Sequence, residues 1–263
     1  MVSHRVLIRS LCLLLIGVFG PADLSAATMS YGEAINKAGR QRMLSQRIVK
    51  SYLQMGQDIR FLVAKKQLKD SISLFELQLK QLKAFNKDPE TRRALQLVEK
   101  LWTPVKATAL GKPRREHARQ LRADAEKLLV SAHQVVLLLE DQAGTSQGHL
   151  VNVSGRQRML SQRMGNLYML MSWGFGNQEY NQDYEKAVRE FEEALHELRN
   201  APENTDEISR NLKQASQYWD MFKLSFRMDS DQFVPGLVAR MLDKILVKMN
   251  EITGMYAALP AKK

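Results

Sequence analysis

From Ser30 onward the apolar positions of this chain recur every three or four residues, and no stretch keeps the period-two alternation of a strand. Helix is therefore predicted almost throughout. Ser30, with Glu33 three residues on, has the form of a capping box, and a first helix should run from there to about Gln57. Phe61, Leu68, Ile72, Phe75, Leu79 and Leu82 make the apolar stripe of a second helix, which Asn86-Lys87-Asp88-Pro89 ends. Pro89 suits the opening of a third helix, because the amide it lacks would go unpaired there anyway. That helix carries Leu95, Val98 and Trp102 and is expected to kink at Pro104. Gly111-Lys112-Pro113 reads as a turn, and a long fourth helix reaches about Ala143.

Gly144 to Gly148 closes this half, and the pattern then starts again. His149 to about Trp173 matches the first helix, and Tyr184 to Arg199 the second, with Phe191, Leu195 and Leu198 standing where Phe75, Leu79 and Leu82 stood. A helix is expected to open at Pro202-Glu203 and pass through Ile208, Leu212 and Trp219, and a last one to run from Pro235 to about Tyr256. Lys223 follows Trp219 as Lys106 follows Trp102, whereas Pro104 has no counterpart and the connection from Met228 to Gly236 is longer. The fold class this predicts is all-α: two tandem up-down-up-down four-helix bundles, residues 28–146 and 147–263. An up-down bundle ends where it began, so a short turn would restart the second copy parallel to the first. The two copies are expected to pack as an internal dimer about a pseudo-two-fold axis.

The strongest part of the repeat is polar. Gly39-Arg40-Gln41-Arg42-Met43-Leu44-Ser45-Gln46-Arg47 returns letter for letter as 155–163, an offset of 116 residues, and Asn36 and Tyr52 recur as Asn152 and Tyr168. A core position accepts several apolar residues of similar volume, so packing alone would let two copies drift. Three arginines, two glutamines and a serine at fixed spacing imply side chains aimed at a target. On a helix turning ~100° per residue, Ile35, Gly39, Arg42, Gln46, Val49 and Leu53 share one face. Leu44, Ile48, Tyr52 and Met55 form the opposite stripe, with Arg40 and Arg47 to the side.

Glycine within a helix costs about 0.5–1 kcal/mol against alanine, which is explained if the other copy's backbone comes close, Gly39 against Gly155. Arg42 and Arg158 would then face each other across the axis. Two guanidinium groups ~6 Å apart repel by roughly 3 kcal/mol at an effective dielectric near 20. A small planar anion between them reverses the sign, each charge-assisted hydrogen bond contributing roughly 1.5–3 kcal/mol.

Composition narrows the setting. Residues 1–27 carry a basic start (His4, Arg5, Arg9), an apolar run from Leu11 to Phe19, and Ser25-Ala26-Ala27 before a cut at about Thr28. That is the pattern of a cleaved secretory signal peptide, too short in its apolar run to span a bilayer. The one cysteine, Cys12, lies within it, so disulfides and cysteine-held metals are not expected in the mature chain. Removing the leader takes away Arg5, Arg9 and Asp23 and leaves the net charge near the +11 of the whole chain. Such a surface attracts anions. Export argues against nucleic acid, and the aromatics form no RNA-stacking motif.

No catalytic arrangement stands out. Glu193-x-x-His196 is half of a di-metal bundle signature without its second half, and His117, His133 and His149 are scattered singly. The methionines at 159, 164, 169 and 171 stand at helical spacing, as core filler does. Neither a metal nor a cofactor is expected, and the chain does not read as an enzyme.

The repeated stretch resembles the signature of the NarX/PilJ-type sensory domain, a periplasmic four-helix bundle of nitrate/nitrite sensor kinases and of the type IV pilus chemoreceptor. Ile35-Asn36-Lys37-Ala38-Gly39 with Arg42-Met43, Ser45 and Arg47 carries the likeness, and the wording Arg40 to Arg47 is nearer the PilJ branch. In that family two first helices meet at a dimer interface and one nitrate sits between paired arginines. The resemblance implies Arg42 and Arg158 as ligands, Gly39 and Gly155 lining the site, and Asn36, Asn152, Arg47 and Arg163 in support. With no transmembrane segment or output module in the mature sequence, the expected role is a periplasmic binding module for nitrate or nitrite, acting through a membrane sensor or transporter. The competing reading is a ligand-free bundle that docks on a receptor or on an envelope or pilus complex.

Overall fold

The computed structural model describes residues 29–176, 178–226 and 233–260. The leader expected at 1–27 and most of the connection from Met228 to Gly236 lie outside these residues. Among the described residues eight α-helices follow one another: α1 (Tyr31–Gly56), α2 (Phe61–Phe85), α3 (Pro89–Leu110), α4 (Arg115–Ala143), α5 (Ser146–Leu170), α6 (Gln178–Arg199), α7 (Asp206–Phe226) and α8 (Pro235–Ala258). The fold is all-α, in two tandem helical bundles, and no strand occurs among the described residues.

Local chemistry sets the helix ends. Ser30 Oγ accepts from Glu33 N at 3.2 Å while the Glu33 carboxylate accepts from Ser30 N at 3.1 Å, the capping box expected. Asp88 accepts from Thr91 N at 2.8 Å and places Pro89 in the first turn of α3. Three boundaries differ from expectation. The turn between the halves is only Gly144-Thr145, because Thr145 Oγ1 accepts from Gly148 N at 3.1 Å and caps α5 at once. Helix α6 begins at Gln178, ahead of Tyr184. Pro202 does not open α7: Asn204 Nδ2 donates back to Leu198 O at 2.7 Å, holding a turn, and Thr205 Oγ1 caps the helix by accepting from Ile208 N at 3.2 Å. Helix α3 continues through Pro104 to Leu110.

Within each half the four helices pack as a ring, α1-α2-α3-α4 and α5-α6-α7-α8, and the most extensive contact in the molecule joins α1 to α5. Helices α4 and α8 flank that seam, α8 reaching α1 and α4 reaching α5. The repeated aromatics do the same work twice. Phe75 stacks on Trp102 at 4.1 Å between ring centres, and Phe191 on Trp219 at 4.2 Å. Each indole and the following lysine share one carboxylate, Glu76 for Trp102 and Lys106, Glu192 for Trp219 and Lys223. The recurring tyrosines brace the turns into the last helices: Tyr52 Oη accepts from Arg114 N at 3.0 Å, and Tyr168 Oη from Val234 N at 2.8 Å.

Helix α5 ends differently from α1. Met171–Phe175 forms a π-helical turn, with Gly174 in the left-handed region at φ 78°. Ser172 Oγ donates to Gln57 Oε1 at 3.0 Å and Gln57 Nε2 to Met169 O at 2.9 Å, tying the far ends of α1 and α5 together.

Candidate functional site

Polar residues of the repeat divide into those that hold the seam and those that face it. Gln41 Nε2 donates to Phe75 O at 3.2 Å and Gln157 Nε2 to Phe191 O at 2.8 Å, so each fixes its helix to its own bundle. Ser45 and Ser161 donate to the carbonyls of Arg42 and Arg158, both at 2.8 Å. With the helices locked in rotation, Arg42 and Arg158 point across the seam.

Each arginine reaches the opposite helix in the same way. Arg42 Nη2 donates to Asn152 O and Arg158 Nη2 to Asn36 O, both at 3.2 Å. A methyl group placed on Gly39 would lie 3.3 Å from Nη2 of Arg42 and 3.5 Å from Nη2 of Arg158; on Gly155 it would lie 3.2 Å from Arg158 and 3.5 Å from Arg42. Both guanidinium groups therefore converge on the two glycines. The space a side chain would take at each glycine is met by these nitrogens and not by the partner helix's backbone, so the missing side chain makes room for charge.

Both side chains are buried, 1 % and 0 % exposed, and among the described residues neither forms an ion pair. The Nε–H of each is buried without a partner. Burial, with Arg156 adding repulsion against Glu140's attraction, presses the Arg42 guanidinium down to about 9. Arg158 is held well below its ordinary value by burial and then by Arg40 and Arg42. Two cations stay in the interior with hydrogen bonds and no ion-paired carboxylate.

The remaining partners break the symmetry. Arg158 Nη1 donates to Asn36 Oδ1 at 2.8 Å and to Asn250 Oδ1 at 3.1 Å. Arg42 Nη1 instead meets His133 Nδ1 at 2.9 Å, while Asn152 turns its amide to Glu140 at 2.5 Å. Since a guanidinium only donates, His133 Nδ1 is the acceptor and the ring hydrogen sits on Nε2. Burial and then Arg42 and Arg156 press this imidazole down to about 4, keeping it neutral.

Six of the eight expected site residues thus meet at one place: Arg42, Arg158, Gly39, Gly155, Asn36 and Asn152. Arg47 and Arg163 do not join them. Arg163 pairs with Glu126 at 3.2 Å and Asp183 at 3.7 Å, and the carboxylates that act on Arg47 against the effect of burial are Asp243 and Asp70. Both stand more than a turn beyond the central arginines and to the side. Sequence reasoning missed His133 and Asn250. They correspond at an offset of 117 rather than 116, as do Glu126 and Asp243, so the 116-residue register conceals them.

Among the described residues no group of three or more potential metal ligands forms, and no helix is long and apolar enough to cross a membrane. Searches of curated proteins and of solved structures return no match. The family model for the type IV pili methyl-accepting chemotaxis transducer N-terminal domain, PilJ, matches residues 25–133 and again 142–228, which together are most of the chain. Each match takes in one of the two central arginines. This chain belongs to the PilJ family, in two tandem copies.

Proposed function

We propose that this chain is an exported periplasmic sensory module that binds one small planar oxyanion, nitrate or nitrite, between Arg42 and Arg158 and passes its state to a membrane partner. PilJ is a sensory transducer family and not an enzymatic one. The observation that carries the reading is the pair of fully buried guanidinium groups with no carboxylate partner. A buried unpaired charge is costly, and the cost is removed when a counter-ion of matching geometry arrives. Of the five N–H donors of each guanidinium, Arg158 keeps its Nε–H and one Nη2–H, and Arg42 keeps its Nε–H and one on each Nη. Those free edges suit an acceptor with oxygens in a plane. The sequence pattern of residues 1–27 supports export.

The test is calorimetric titration of the mature chain with nitrate, nitrite, sulfate and chloride at fixed ionic strength. One anion per chain is expected. Arg42→Ala and Arg158→Ala should each remove most of the affinity, and the double variant should be little worse than either, since the two act as one unit. An endpoint near two, with half the sites surviving Arg42→Ala, would exclude the shared site. Binding of no anion beyond chloride would leave the docking role instead.

A further inference from the structure

A cleft of about 310 Å³ opens over Arg42 between α4, α5 and α6. Its lining includes Arg42, His133, Arg156, Lys186, Val130 and Met159. We propose that this cleft is a second binding site, for a small organic monocarboxylate whose apolar body lies on Val130 and Met159 and whose carboxylate reaches His133 and Arg156. The volume is at the lower end of small-molecule pockets and far exceeds what a four-atom anion fills.

Its floor offers donors. Arg42 is 1 % exposed with its Nε unpaired, and His133, its Nδ1 occupied by Arg42, presents an Nε2–H that no described residue accepts. The rim is cationic and adjustable. Arg156, 46 % exposed, pairs with Glu190 at 3.0 Å, and Lys186, 69 % exposed, approaches the same carboxylate at 4.0 Å. Exposed pairs of this kind are weak, so Arg156 can turn to an incoming carboxylate at little cost. The other half of the molecule is arranged differently at the same positions. Arg40, the counterpart of Arg156, turns inward to Asn250 at 3.0 Å, and Asp70 stands where Lys186 does, reversing the charge. Duplication thus leaves Arg40 bonded to Asn250 on one flank of the arginine pair, and on the other an open cleft whose cations, Arg42, Arg156, Arg163 and Lys186, outnumber its carboxylates, Asp183 and Glu190.

This site does not depend on nitrate binding at the seam, and the experiment separates the two. The mature chain is titrated with acetate, butyrate, benzoate and neutral benzamide, and separately with nitrate. Benzoate should bind once per chain, roughly tenfold or more tighter than acetate because its ring leaves water, and benzamide should not bind. Lys186→Glu, a surface change whose folding is checked by its melting temperature, should weaken benzoate severalfold and leave the nitrate titration unchanged. Arg158→Ala should remove nitrate binding and retain benzoate binding. The proposal fails if no carboxylate binds, if acetate and benzoate bind equally, if Lys186→Glu leaves benzoate unaffected, or if Arg158→Ala abolishes both ligands together.

Discussion

The two glycines of the repeat show how one missing methyl group shapes a site. A Cβ on Gly39 would stand 3.3 Å from Arg42 Nη2, so alanine there moves that guanidinium by a few tenths of an ångström, while Arg158 Nη2 at 3.5 Å is an ordinary contact. The helix itself favours alanine by about 0.5–1 kcal/mol. Gly39→Ala should therefore melt no lower than wild type while binding nitrate roughly tenfold more weakly, the loss of about one charge-assisted hydrogen bond. Unchanged nitrate affinity in that variant would mean that the glycines are not there for an anion. Two histidines give the pH profile opposite limbs. His133 is held at about 4, below its ordinary 6.5, by burial, Arg42 and Arg156. Its neutral form is favoured by folding, so its contribution is present above 6.5 and lost as pH falls toward 4. For His149 burial works against the charge, but Glu197 and Glu140, at 2.8 and 3.0 Å, outweigh it and raise the imidazole. Its contribution is full below 6.5 and is lost as pH rises through its folded pKa. Melting curves from pH 4 to 8 should show His133→Asn flattening the acid limb and His149→Gln the other.

Between elements, the seam depends on one buried ion pair with no identical counterpart in the other half. Lys50 on α1 is 0 % exposed and bonds to Asp243 on α8, which also accepts from Arg60 at 3.3 Å and Gln67 at 2.9 Å. Burial pushes the Asp243 carboxyl up, but Lys50 and Gln67 prevail and leave it below its ordinary value. The corresponding residues in the other half are Asn166, Glu126 and Asp183, and there Arg163 carries the positive charge. Asp243→Ala would strand a buried ammonium and should cost about 3–5 kcal/mol. For a chain of this size that is roughly a 6–20 °C fall in melting temperature. The double change Lys50→Met with Asp243→Leu should recover much of it, because two apolar groups need no partner. A double variant as unstable as the single would show that the pair aligns α1 with α8 rather than merely neutralising itself.

Taken whole, the chain supplies both halves of the proposed anion site, Arg42 and Arg158, from one polypeptide. Occupancy should therefore be independent of protein concentration, and titrations at widely separated concentrations should give one affinity. A site shared between two chains would weaken on dilution. At ~100 times its dissociation constant nitrate should stabilise the folded chain by roughly 2.7 kcal/mol, about 5–10 °C in melting temperature. The reading fails if chloride at equal ionic strength gives the same shift.

The helices, the cap at Ser30, the opening of α3 at Pro89, the duplication and the central pair Arg42 and Arg158 were all legible in sequence. Periodicity, local hydrogen bonding and an identical nine-residue stretch are properties of neighbours along the chain. The start of α7 was misread because Pro202 permits a helix to begin, whereas Asn204 and Thr205 decide where it does. The groups that surround each arginine follow from packing alone. His133 and Asn250 lie on last helices that run one residue out of register with the first, so no spacing in the chain brings them to α1 and α5. Arg47 and Arg163 share the repeat's lettering with Arg42 and Arg158, yet the helix turns them aside, toward carboxylates that the central pair lacks. An identical sequence in two copies fixed the same reach across the seam. Different neighbours on α4 and α8 made one side of that pair an open cleft and, on the other, let Asn250 bond both Arg158 and Arg40.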